Sequence, residues 1–392
     1  MKINFYKAFW FIYLLEFVIP IVLMLHYLYG FSISGILIKT PFILYYLLLT
    51  IYHIKQKFKF KFSFISYLFL FYFIFSLLIG LMEGNNIDEK FLSHIYFTSM
   101  PILGISFGIS LAQSYDQKFE DYFIKLINIC FYVTTLILLV YSYSYFITGN
   151  IQYWGFGTDL HLIIPFLLYQ GRYFYLIIAF LLVLLSGKRA TLLNVVMEFL
   201  LIFSYKLKKT SVSSFPKLIL SIILITFLFT YASNQGVFDR FEATIAFDLS
   251  DEDSMTYAAG GRWEEVTGII DYHNSKPYRW FTGAGFGGRY MWYIPLTNYY
   301  ELKHYAHFSP VSYIFIYGTP FMIILYTSFL YYFKKSLKYV RNPFVIIFII
   351  GIFSSFFGAN LFVDIKLWVF CGIFLYILKN PDSAISKLKV FK

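Results

Sequence analysis

Charge is scarce in this chain: Asp, Glu, Lys and Arg make up only 14% of its 392 residues, against roughly 25% in a soluble domain. A water-soluble surface cannot be assembled from so little, which excludes an ordinary globular protein of this length. Cysteine is scarcer still, with Cys130 and Cys371 both inside apolar runs. That excludes a disulfide framework and a thiolate metal site. Acidic residues are outnumbered, 21 to 32 Lys and Arg, for a formal charge of +11. The excess does not point to nucleic acid, because the basic residues gather at the ends of apolar runs, as the positive-inside rule describes.

What is abundant is apolar surface, 59% of residues hydrophobic and 23% aromatic. Runs long enough to cross a hydrocarbon core about 30 Å thick recur along the chain. The spacing predicts spans at 8–29, 33–54, 63–82, 91–113, 125–147, 159–170, 173–186, 190–205, 218–233, 309–333, 343–359 and 361–378. The expected fold class is an all-α polytopic membrane protein of about 12 transmembrane helices. The first run, from Ala8, is too long for a signal-peptide core and no small-residue cleavage site follows it, so it reads as a retained helix. Spans six and seven are short and joined by Gly171-Arg172, the pattern of a broken or re-entrant pair.

With both termini in the cytoplasm, this topology puts 21 of the 32 Lys and Arg inside and 11 outside. It divides the chain into 1–233, nine spans; 234–308, one long extracytoplasmic loop; and 309–392, three spans and a cytoplasmic tail. The loop holds ten acidic residues, and Trp263, Val266, Ile270 and His273 recur at helical spacing. Short amphipathic helices lying on the membrane surface are expected there.

Some charges fall where the rule disfavours them. Lys188 and Arg189, in Ser186-Gly187-Lys188-Arg189, lie outside in this topology. Either spans six and seven are miscounted, or the pair forms an anion site, for which the phosphate head of a lipid carrier is the available ligand. Arg262 follows Gly260-Gly261 and opens Arg262-Trp263-Glu264-Glu265. A helix start with free N–H groups beside an arginine is an anion cradle, although a surface arginine paired with those glutamates has the same sequence. Together, Arg189 and Arg262 carry enough positive charge to neutralise a diphosphate. His304 and His307 stand within four residues where the loop re-enters the membrane, and histidine is the side chain suited to take a proton from a sugar hydroxyl near neutral pH.

Other patterns carry less. Gly283-Ala284-Gly285-Phe286-Gly287-Gly288 follows no predicted strand and is not a dinucleotide motif, Gly187-Lys188 lacks the upstream glycine of a phosphate loop, and Asp251-Glu252-Asp253 reads as a solvated acidic stretch. Glu16, Glu198, Asp364 and Lys366 fall inside spans, where ionisable groups are functional by default. Asn194 and Glu198 are one turn apart and share a helix face.

Taken in succession, Ser186-Gly187-Lys188-Arg189-Ala190-Thr191-Leu192-Leu193, Gly261-Arg262-Trp263, Gly283-Ala284-Gly285-Phe286-Gly287 and His307-Phe308-Ser309-Pro310 resemble the O-antigen polymerase and O-antigen ligase superfamily from about residue 150 to the end. The resemblance implies a GT-C-like membrane glycosyltransferase at the periplasmic face of the bacterial inner membrane. Its donor would be an undecaprenyl-diphosphate-linked oligosaccharide, with no metal and no cofactor. It implies that Lys188, Arg189 and Arg262 bind the donor diphosphate. His307 would be catalytic beside the acceptor, together with Arg189 and Arg262. Implied partners are the lipid bilayer, a chain-length regulator and a flippase, and no nucleic acid. His304, Trp280, Arg289 and Trp292 are the expected acceptor and sugar contacts, although the loop aromatics also suit an interfacial belt. Ligases typically carry Asn after the histidine. Phe308 stands there and favours the polymerase. The rivals are a ligase that moves glycan to lipid A core and a transporter that flips lipid-linked sugars, which the absence of two matching halves disfavours.

Overall fold

The structure is a computed structural model that describes residues 5–15, 35–148, 160–185, 189–207, 262–294, 298–356 and 365–390. Helices dominate it. Those that organise the chain are α1 (Phe5–Leu15), α2 (Gly35–Lys55), α3 (Phe64–Met82), α4 (Glu89–Gln113), α5 (Gln117–Thr148), α6 (Leu160–Tyr169), α7 (Tyr173–Leu185) and α8 (Arg189–Leu207). From residue 262 onward come α9 (Arg262–Ser275), α10 (Arg279–Thr282), a hairpin of β1 (Tyr290–Ile294) and β2 (Tyr299–Lys303), then α11 (Ser309–Tyr317), α12 (Thr319–Ser336), α13 (Pro343–Ser354) and α14 (Ile365–Lys379). The expected span at 218–233 lies outside the described residues, as do Glu16 and Asp364. Among the described residues, α3 and α4, of 19 and 25 residues, are long and apolar enough to cross a membrane.

Local chemistry sets the helix starts. Ser63 and Ser66 form a reciprocal capping box at α3. The Asp88 carboxylate accepts from the N–H groups of Lys90 and Phe91 at α4, at 2.9 and 3.2 Å. Asn342 caps α13, with Pro343 in the first turn, where its missing N–H costs nothing.

Helix α4 forms the spine. Gly104 and Gly108, four apart, face Trp368, Val369 and Gly372 of α14. A Cβ on Gly108 would sit 2.1 Å from the Val369 carbonyl oxygen, and one on Gly372 would sit 2.2 Å from that of Ile105. Bare backbone on both helices therefore permits an approach that any side chain would prevent, the small-residue packing of helices in lipid.

Contacts sort the links into two ends of the bundle. At one end Asn85 Nδ2 donates to the carbonyls of Ala284 and Phe286, and Ser309 N–H donates to the Ser355 carbonyl. The α3–α4 link and the loop thus share an end. At the other, Asn342 Nδ2 donates to the Ile385 carbonyl and Val390 N–H to that of Arg341, tying the tail to the α12–α13 link.

Two expectations need correction. The span at 309–333 is two helices, broken at Gly318, whose φ of 86° is left-handed and whose added Cβ would meet the Phe281 carbonyl oxygen at 2.2 Å. Carbonyls freed at the end of α11 are claimed by the loop: Ala284 N–H donates to Phe315 and Gly285 N–H to Ile316. The loop holds a β-hairpin as well as helices. Its helix α9 buries Glu264, Glu265, Ile269 and His273, while Trp263 and Ile270 are exposed.

Candidate functional site

The glycine-rich stretch that follows α10 is a clasp. Besides the bonds to α11, Phe286 N–H donates to the Ser76 carbonyl of α3, and Gly287 N–H donates to His94 Nδ1 at 2.9 Å. Because His94 Nδ1 accepts, its proton sits on Nε2, which donates to the His304 carbonyl at 2.9 Å. One imidazole of α4 therefore joins the clasp to the segment that carries His307.

The base of the site is built on α9. Glu265 is 1% exposed, yet its carboxylate is well supplied with donors. Oε2 accepts from the His307 backbone N–H at 2.8 Å and Oε1 faces His307 Nδ1 at 2.7 Å, with Lys303 Nζ 3.4 Å from Oε1. Burial pushes the Glu265 carboxyl upward, but the His307 and Lys303 interactions outweigh it and hold it below the usual carboxylate range. An ionised acceptor against Nδ1 requires the proton there, so the lone pair is on Nε2. The imidazole side chain is half exposed, at 50%. Its backbone is fixed too: Ala306 N–H donates to Ser312 Oγ at 2.8 Å, and Tyr290 Oη donates to the Tyr305 carbonyl at 3.1 Å. The arrangement presents one oriented, proton-accepting nitrogen to solvent.

Lys303 has a second contact. Its ammonium lies 3.5 Å from the centre of the Trp292 ring, on the neighbouring strand of the hairpin, a cation–π contact that ties the hairpin to Glu265. Arg262 opens α9 one turn before Glu265 and is exposed. Arg189 opens α8, and its side chain and the whole of Lys188 lie outside the described residues. The α8 backbone is nonetheless placed: Asn194 Nδ2 donates to Ser354 Oγ at 2.9 Å, beside the Ser355 carbonyl that receives Ser309 N–H. Five residues of helix, about 7.5 Å of rise, carry α8 from Asn194 to Arg189, at the end of the bundle that holds Ser309 and His307.

The other expected contacts are elsewhere or engaged. The His304 ring lies 5.4 Å from His94 and meets Tyr305 edge-on at 4.7 Å. Burial, then Lys90 and Arg289, push its pKa down to about 4, so it is neutral at physiological pH. Arg289 is ion-paired with Asp88. Trp280 packs on His273 at 5.0 Å and donates to Asn274 Oδ1 at 3.1 Å. That places it at the far end of α9, eight residues or about 12 Å from Glu265. His307, Arg262 and Trp292 are thus gathered at one place, and Trp280 is not.

Glu265 is the member that the sequence did not reveal. It reads there as a partner for Arg262 one turn back, whereas its partner lies 42 residues on. Among the described residues no three His, Cys, Asp or Glu side chains are grouped so as to hold a metal ion. Comparison with protein-family models, with curated proteins and with solved structures finds no match in any of the three.

Proposed function

We propose that the chain is a polytopic glycosyltransferase of the bacterial inner membrane, with about twelve spans and its site on the periplasmic side. It polymerises undecaprenyl-diphosphate-linked repeat units of O-antigen or a related surface polysaccharide. The observation that carries the reading is the oriented His307, braced by a buried carboxylate beside an exposed aromatic hairpin, in a chain too apolar to be soluble.

In this reaction a hydroxyl of one lipid-linked repeat unit attacks the anomeric carbon of the growing chain. The new glycosidic bond forms as the bond to the diphosphate oxygen breaks, and undecaprenyl diphosphate leaves with the electron pair. His307 Nε2 accepts the hydroxyl proton, and Glu265 stabilises the imidazolium that results. Arg262 and Arg189 offset the charge that grows on the leaving diphosphate. Trp292, on the hairpin beside the histidine, contributes an aromatic surface for a sugar ring.

The test is turnover by the purified full-length protein in nanodiscs, with lipid-linked repeat units as both donor and acceptor. His307→Ala should lose about 10²–10⁴-fold in kcat. Glu265→Gln sets an amide donor against one of the two His307 N–H groups, so it should lower kcat while leaving KM near wild type. Wild-type turnover by both variants would remove His307 from the chemistry.

A further inference from the structure

Below the proposed site, in the interior of the bundle, α8 carries a carboxyl that the transfer reaction does not use. Glu198 is 0% exposed, and neither of its oxygens has a hydrogen-bond partner among the described residues. Asn194, one turn earlier on the same face, is 2% exposed; its Nδ2 donates to Ser354 Oγ, and its Oδ1 is likewise buried without a donor. An ionised carboxylate without a partner in an apolar interior costs several kcal/mol or more. Reversing the Asn194 amide changes which of its atoms faces inward but supplies no charge. Three buried acceptor oxygens therefore share one face of α8, and none of them meets a positive charge among the described side chains.

Among the described side chains, the neighbouring helices do not supply one. Residues of α13 against α8 are apolar apart from Ser354, and none of its side chains is titratable. On α6 and α7 the titratable side chains are His161, Tyr169, Tyr173 and Tyr175. Tyr169 donates to Glu120 and Tyr175 pairs with Tyr132, each at a helix end, and the His161 and Tyr173 side chains lie outside the described residues. On α8 itself the charged residues besides Glu198 are Arg189 and Lys206, at its two ends.

We infer that Glu198, Asn194 and Ser354 form a binding site for one small monovalent cation, either Na+ or H+, inside the membrane bundle. Carboxylate, amide carbonyl and hydroxyl oxygens are hard donors suited to Na+, and a proton on Glu198 would neutralise the same charge and donate to Asn194. Both ions answer the same physical need.

The experiment uses the full-length protein in nanodiscs of phosphatidylethanolamine and phosphatidylglycerol. Its melting temperature is followed against NaCl or choline chloride at equal ionic strength, at pH 6 and pH 8.5. A sodium site gives the wild type a saturable rise of about 2–4 °C over choline that Glu198→Gln lacks. A proton site gives no preference for sodium, and the wild type loses melting temperature between pH 6 and 8.5 while Glu198→Gln does so less. Wild type and Glu198→Gln responding alike in both series would overturn the inference. A second measurement needs no variant: dicyclohexylcarbodiimide, which modifies protonated carboxyls in apolar surroundings, should label Glu198 of the wild type at pH 6. Sodium protects it in the first case and raised pH alone in the second. No labelling of Glu198, or labelling indifferent to both, would contradict the site.

Discussion

At the end of α3 the Glu83 carboxylate collects three donors from the loop: Arg279, the Tyr278 hydroxyl and Lys276, the last at 3.2 Å. Burial alone would raise its pKa, but these donors bring it down to about 2, from about 4.5 when unpaired. Arg279 is itself held over the Tyr272 ring at 4.2 Å. A carboxyl whose folded pKa is depressed contributes its full stability above the unfolded value, and that stability drains away as pH falls through the folded one. Amide exchange in residues 276–282 should therefore quicken as pH drops from about 4.5 toward 2, relative to that in α4. In Glu83→Gln it should be fast already at pH 7, with a flatter acid response. Equal acid response in wild type and Glu83→Gln would remove the clasp. Residue type alone marks out side chains such as His307 and Arg262 as candidates, and to that extent the site was legible. It was not where the use depends on a distant partner, as with Glu265 and Glu83, because no local spacing encodes a pair 42 or 196 residues apart.

Apolar run length exposed most helices, since a backbone in or near lipid has little choice but to bond to itself. The run from Ser309 to Phe333 concealed a break because Gly318 followed by Thr319 and Pro320 looks like a tolerated interruption. Only the loop packed against it shows why the chain turns. The hairpin escaped notice for a related reason: Tyr290-Met291-Trp292-Tyr293-Ile294 has no polar alternation, and its cross-strand stack of Tyr293 on Tyr300, at 4.3 Å, reads in sequence as more aromatic belt. The α4–α14 crossing allows a test. Gly108→Ala should destabilise the protein by about 1–3 kcal/mol through overpacking against Val369. Gly84→Ala, where an added Cβ meets nothing, should cost only the left-handed backbone penalty, about 1–2 kcal/mol. Comparing their urea or thermal midpoints with Gly104→Ala, whose Cβ would meet Trp368 Cβ at 3.1 Å, should rank Gly108→Ala as the most damaging. A harmless Gly108→Ala would mean that the two helices do not cross so closely.

Across the whole molecule, contacts place the connecting segments at two ends of the bundle. The loop meets the α3–α4 link and the tail meets the α12–α13 link. In the proposed topology the end that holds the loop faces the periplasm. Cys130 and Cys371 are buried, so single introduced cysteines can be read against a quiet background. Met255→Cys should react with a membrane-impermeant thiol reagent in intact spheroplasts and Phe58→Cys should not. The opposite pattern would invert the topology and with it the case for an external anion site at Arg189 and Arg262.

The central claim, polymerisation of lipid-linked repeats, is tested most directly by the surface glycan of a strain that lacks this protein. A ligase can still transfer one repeat unit when the polymerase is gone, so the account predicts lipopolysaccharide capped by a single repeat. Wild-type protein should restore the ladder on a gel, and His307→Ala, Arg189→Ala or Arg262→Ala should not. A bare core with polymer accumulating on its lipid carrier would contradict the account and make the protein the ligase, and unextended repeats held on the cytoplasmic face would make it a flippase.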